Sequence, residues 1–193
     1  TAATPPTSSN AGPDQTLCAT APATLAANTP SVGTGAWSVV SGPSISTAQF
    51  NSLTNPTAIF TPAGGTGAYT LRWTITGACA TSTDDVVLTY NPAPTAANAG
   101  PDQAVCGTSV TLAGNAPTVG TGAWSIVSGA GGTVTTPSSR TSTFTGVAGT
   151  SYTLRWTISN APCTASTDDV VITLTANPTV ANAGSDQTVC GTS

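Results

Sequence analysis

One phrase is written three times in this chain: NAGPDQTLC at 10–18, NAGPDQAVC at 98–106 and NAGSDQTVC at 182–190. Between these copies the repetition continues in order. TLAAN (24–28) returns as TLAGN (111–115), and VGTGAWS at 32–38 returns at 119–125. YTLRWTI at 69–75 returns at 152–158, and STDDVV at 82–87 returns at 166–171, so the offsets run from 83 to 88 residues. A repeat of this period means that one structural unit is built several times by the same local rules. The spacing divides the 193 residues into a linker (1–9), repeat 1 (10–97), repeat 2 (98–181) and the start of a third, truncated unit (182–193). Most of the length difference falls between the two tryptophans of each repeat, 36 positions from Trp37 to Trp73 against 32 from Trp124 to Trp156, where a surface loop absorbs it. A unit of this size encloses one small core.

Alternation gives the strands. Tyr152, Leu154, Trp156 and Ile158 fall on one face of their run, with Thr153, Arg155 and Thr157 on the other. Val170, Ile172 and Leu174 continue the pattern, as do Trp124 with Ile126 and Val110 with Leu112. Forty Thr supply β-branched residues whose hydroxyls keep the outer faces wet, while 15 Pro and 20 Gly interrupt every long window. The expected fold is all-β: tandem immunoglobulin-like sandwiches of about seven short strands each, in two packed antiparallel sheets. Trp37, Trp73, Trp124 and Trp156 alternate with Leu, Ile and Val and are read as core residues, not a carbohydrate platform.

The same composition removes most chemistry. The chain has no His, Lys, Glu or Met; its ionisable groups are three Arg, seven Asp, three Tyr and five Cys. General acid–base catalysis would have to rest on Asp alone, which argues against an enzyme, and no cofactor is expected. With 5% charged residues there is no basic patch for nucleic acid, and no apolar run long enough to span a membrane as a helix.

An opening ANAGPDQ, a VTL strand, a Trp strand, YTLRWTI and a closing DDVVIT resemble the PKD-like and Ig-like repeats of large Bacteroidota surface proteins. The resemblance covers both full units. It implies export by the type IX pathway and a part in adhesion or gliding. The WDFGDGS-type signature of typical PKD domains is missing, so the resemblance is to a divergent relative and carries no ligand residues over.

Cysteine occurs at 18, 79, 106, 163 and 190, two per repeat plus one in the third phrase. Such regular placement reads as a disulfide framework made in an oxidising compartment. Self-contained units favour Cys18–Cys79 and Cys106–Cys163, leaving Cys190 for a unit further along. The alternative, Cys79–Cys106 and Cys163–Cys190, has an identical separation of 27 in both pairs, with an Asn-Pro (Asn91-Pro92, Asn177-Pro178) between them that could turn a hairpin.

Asp84-Asp85 and Asp168-Asp169 are the only adjacent carboxylates. Together with a loop Asp (Asp14, Asp102 or Asp186) they are candidate ligands for Ca²⁺. Their other role is to meet Arg72 and Arg155 across the neighbouring strand. On these grounds the chain is expected to be a structural spacer of a long extracellular protein, each unit spanning roughly 30–40 Å by its strand lengths. Its expected partners are further copies of the repeat in the same chain, and the Thr-rich edge strands leave lateral association into a filament open. A module that binds glycan or protein through its variable loops is the alternative.

Overall fold

The structure, a computed structural model, describes residues 3–188, 190 and 191. Thr1 and Ala2 of the expected linker, and Val189, Thr192 and Ser193 of the expected third unit, lie outside the described residues. Repeat 1 forms β1 (Gln15–Cys18), β2 (Ala23–Thr24), β3 (Thr34–Ser41), β4 (Ile59–Phe60), β5 (Gly67–Thr76) and β6 (Thr81–Asn91). Repeat 2 forms β7 (Gln103–Cys106), β8 (Ser109–Thr111), β9 (Thr121–Ser128), β10 (Thr133–Val134), β11 (Thr143–Thr145), β12 (Thr150–Ser159) and β13 (Ser166–Thr175). The first has six strands because its long variable segment makes a 3₁₀ turn (Thr47–Gln49) in place of a strand. No helix among the described residues is long and apolar enough to cross a membrane.

Each repeat is a sandwich. The larger sheet runs β1-β6-β5-β3 in repeat 1 and β7-β13-β12-β9 in repeat 2; the facing sheets are β2-β4 and β10-β11-β8. The long hairpins β5–β6 and β12–β13 form because their sequences alternate without an internal Pro. Their inward residues, Tyr69, Leu71, Trp73 and Ile75 in β5 and Tyr152, Leu154, Trp156 and Ile158 in β12, are all buried. The sheets are not purely antiparallel as the alternation suggested. β1 pairs with β6, and β7 with β13, in parallel register, Cys18 opposite Asn91 and Cys106 opposite Thr175. Alternation defines the face of a strand, not its direction, and here the first strand joins the edge of the sheet running the same way as the last.

Two cores result. In each, a tryptophan pair meets in register across the central strands, Trp37 with Trp73 and Trp124 with Trp156, ring centroids 5.0 Å apart. All four are buried, and each contributes about 4–6 kcal/mol of transfer free energy as an upper figure. The recurrent Gly of VGTGAWS follows from this packing. A Cβ at Gly35 would lie 2.0 Å from the Trp73 ring, and one at Gly122 2.1 Å from the Trp156 ring. Phe50, Phe60 and Phe144 are also buried. Ile126, placed inward by the alternation, is instead 37% exposed, next to an irregularity in the ladder between Thr153 and Leu154.

Candidate functional site

The repeated phrase folds into a clasp. Asn10 Oδ1 accepts from Gly12 N–H (2.8 Å), closing a turn that needs φ +87° at Gly12; a side chain there would also strike Ala26 O at 2.7 Å. Asn10 N–H donates to Asn28 Oδ1, and Asn28 N–H returns a bond to Asn10 O, both at 2.9 Å. The buried Ala11 donates its N–H to Asp84 Oδ2 (2.7 Å), and Val87 N–H donates to Asp14 Oδ1 (2.8 Å). Repeat 2 reproduces each bond with Asn98, Asn115, Asp168 and Asp102. The phrase therefore sews the entering chain to the last strand of its own unit.

These bonds account for the paired carboxylates. Neighbours in a strand face opposite sides. Asp84 and Asp168 hold the clasp, while Asp85 and Asp169 take bidentate bonds of 2.7 and 2.8 Å from Arg72 and Arg155. Those guanidinium groups hold the two carboxyls below the ordinary aspartate range. No three His, Cys, Asp or Glu among the described residues gather as a metal site, and no pocket opens among them. Asp84 and Asp85, and Asp168 and Asp169, are thus separated rather than convergent.

The cysteines correct both expected connectivities. Cys18 is bonded to Cys163, between the repeats, with Cα atoms 4.8 Å apart and 145 residues of sequence between them. Cys79, Cys106 and Cys190 are free and exposed. Cys18–Cys79 is ruled out by the parallel pairing. Cys18 ends beside Asn91, the last residue of β6, whereas Cys79 precedes Thr81, its first. The eleven residues of β6 put the two near opposite ends of the repeat, about 35 Å apart, far beyond the reach of a disulfide. The same layout separates Cys106 from Cys163. The hairpin alternative, Cys79–Cys106 with Cys163–Cys190, fails because Asn91-Pro92 carries the chain onto repeat 2 instead of turning it back, and because Cys163 is bonded to Cys18.

That passage is closely held. Asn91 Nδ2 donates to Ala161 O and Asn160 Nδ2 donates to Pro92 O, each at 2.7 Å, so two amides cross-brace the junction beside the disulfide. Thr95 N–H then donates to Val119 O and Ala97 N–H to Ser166 Oγ, fixing the connecting segment along repeat 2. Sequence reasoning singled out Asn91 only as part of an Asn-Pro that could turn a hairpin, and Asn160 not at all; the signal available was that Asn stands at the end of one strand and in the loop that faces it.

No family model and no curated protein matches the sequence. Solved structures do match in three dimensions. The extracellular domains 3–5 of Drosophila OTK share 14% identity at a TM-score of 0.59, over 84% of this chain and 59% of that one. Sidekick-1 immunoglobulin domains 1–5 share 15% at 0.55, over 91% and 40%. The I-band fragment I67–I69 of titin shares 11% at 0.53, over 91% and 67%. The chain thus spans well under two thirds of the first two. At these identities the likeness is one of fold: the chain consists of immunoglobulin-like β-sandwiches in tandem.

Proposed function

We propose that this chain is a stiff spacer segment of a long extracellular protein, with units at 10–97 and 98–181 and a further unit beginning at 182. One observation carries the reading: the Cys18–Cys163 disulfide, flanked by the Asn91 and Asn160 amide bonds, fastens each side of the junction to the other. A disulfide between two domains restricts their relative motion, which a spacer requires and an independently acting binding module does not. Disulfides of this kind persist outside the reducing cytosol, which supports a secreted or surface location, and the sequence resemblance points to a bacterial surface stalk or adhesin. No catalysis is assigned: Asp14, Asp84, Asp85, Asp102, Asp168 and Asp169 are engaged in clasps and ion pairs.

Small-angle X-ray scattering tests this. The oxidised chain is expected to fit one narrow distribution of end-to-end distance, and the Cys18→Ser/Cys163→Ser variant a broader one. A broad distribution of inter-repeat angles in the oxidised chain would overturn the reading.

A further inference from the structure

Two free thiols occupy the positions of the bonded pair, one on each repeat. Cys106 ends β7 opposite Thr175 as Cys18 ends β1 opposite Asn91. The following N–H then returns to the partner strand in both cases, Gly107 to Thr175 O (2.9 Å) and Ala19 to Asn91 O (2.7 Å). Cys79 lies between β5 and β6 as Cys163 lies between β12 and β13. Its surroundings match as well. Cys79 Sγ is 3.8 and 3.6 Å from the carbonyl oxygens of Ala3 and Thr4; Cys163 Sγ is 3.7 and 3.5 Å from those of Asn91 and Pro92. Counted back from Asn-Ala-Gly, Ala3 and Thr4 hold the positions of Asn91 and Pro92. The strap that brings one repeat's chain past the next repeat's cysteine is therefore already laid around Cys79. A solitary thiol would carry no conclusion. A bonded pair at the same two positions, with the same strap, does.

We infer that Cys106 and Cys79 are complementary halves of the same staple. The surface around Cys106 takes a further repeat of this kind, bonding to the cysteine in its β5–β6-type loop, and the surface around Cys79 receives a preceding one. Cys190, at the Cys106 position of the third phrase, continues the series. Closure oxidises two thiols. With glutathione disulfide as oxidant, one protein disulfide forms and two molecules of reduced glutathione leave carrying the two hydrogens. This junction closes without both amide braces, because Gly77 stands in the place of Asn160 and Thr175 in that of Asn91.

The inference rests on the spacer reading, and one peptide map separates their failures. Trypsin with Asp-N cleaves the chain so that the five cysteines fall in separate peptides: 14–72, 73–83, 102–140, 156–167 and 186–193. The full chain, oxidised in a glutathione buffer at high concentration, is expected to form head-to-tail oligomers in which 73–83 is bonded to 102–140. In a doubled chain, with a second copy of 10–181 inserted after residue 181, the same bond is expected within a monomer at low concentration. Closure in the doubled monomer assigns the partner to the same chain; closure only in oligomers assigns it to a second copy. Cys106→Ser abolishes the bond in either case and leaves 14–72 joined to 156–167. The inference is overturned if 102–140 stays unbonded, or bonds to itself or to 186–193 as readily as to 73–83. Loss of the 14–72 to 156–167 link would instead overturn the spacer reading.

Discussion

Cys18 and Cys163 are joined across the boundary between the two repeats, and this gives the chain a covalent path shorter than its sequence. Tension applied to the two ends enters at the clasp, runs along β1 to Cys18, crosses to Cys163 and leaves along β13. Residues 19–162 lie outside that path.

Single-molecule stretching reads this directly. Held by its ends, the oxidised chain is expected to lengthen only by its end segments, β13 among them, while residues 19–162 add nothing to the extension. Reduction adds the bypassed residues to the extensible length, about 500 Å at roughly 3.5 Å per residue. Equal extensions with and without reductant would contradict the bypass.

The same bond stabilises both repeats, although it lies inside neither. If repeat 2 unfolds alone, Cys163 stays tethered beside Asn91, 72 residues away in sequence. Closing a loop of that size lowers the entropy of the unfolded segment by about 4 kcal/mol in the chain-entropy model. A loop of similar length, from Cys18 to Asn91, is closed when repeat 1 unfolds alone. Calorimetry of the Cys18→Ser/Cys163→Ser variant is expected to show lower melting temperatures for both units. A shift confined to one would mean that the staple does not bridge them.

The repeats, their strands and their inward-facing tryptophans were legible because alternation and recurrence are local signals. Ile126 departs from the pattern because the β9–β12 ladder is irregular next to its partner Leu154. The disulfide was not legible, because its partners are set by strand direction. Once β1 lies parallel to β6, Cys18 and Cys79 stand near opposite ends of one strand, and Cys18 bonds to the neighbouring unit instead. The equal spacing of Cys79–Cys106 and Cys163–Cys190 did mark contact between repeats, but assigned it to the wrong residues. The Asp pairs were half legible: their meeting with Arg72 and Arg155 follows from strand pairing, whereas the clasp bonds of Asp84 and Asp168 depend on a turn far away in sequence.

The clasp offers two substitutions with separate causes. Asp168→Ala leaves the Ala99 N–H without its acceptor in a part-buried site, at a cost of about 1–3 kcal/mol. Gly100→Ala forces a side chain onto φ +82° and 2.9 Å from Ala113 O, a strain of at least about 1–2 kcal/mol. Both are expected to lower the denaturation midpoint of repeat 2 and leave that of repeat 1 in place. If repeat 1 falls equally, the clasp is not a device internal to each unit.

Tyr90 gives the repeats different responses to alkali. Its hydroxyl is buried with no hydrogen-bond partner among the described residues, and burial pushes its pKa up to about 12. Repeat 2 has Leu174 at the same register, opposite Val105 as Tyr90 is opposite Leu17. In the unfolded chain a tyrosine ionises near 10. The stability held by the neutral phenol is therefore complete below pH 10 and is lost as the pH rises toward 12, because only the unfolded state gains by ionising. Repeat 1 is expected to lose about 1 kcal/mol by pH 11 and about 2 kcal/mol by pH 12. Tyr90→Phe removes the loss and, by eliminating an unpaired buried hydroxyl, costs little at neutral pH. Denaturant titrations of the wild-type and Tyr90→Phe chains at pH 8 and pH 11 measure it; parallel losses in the two chains would show that the alkaline instability originates elsewhere.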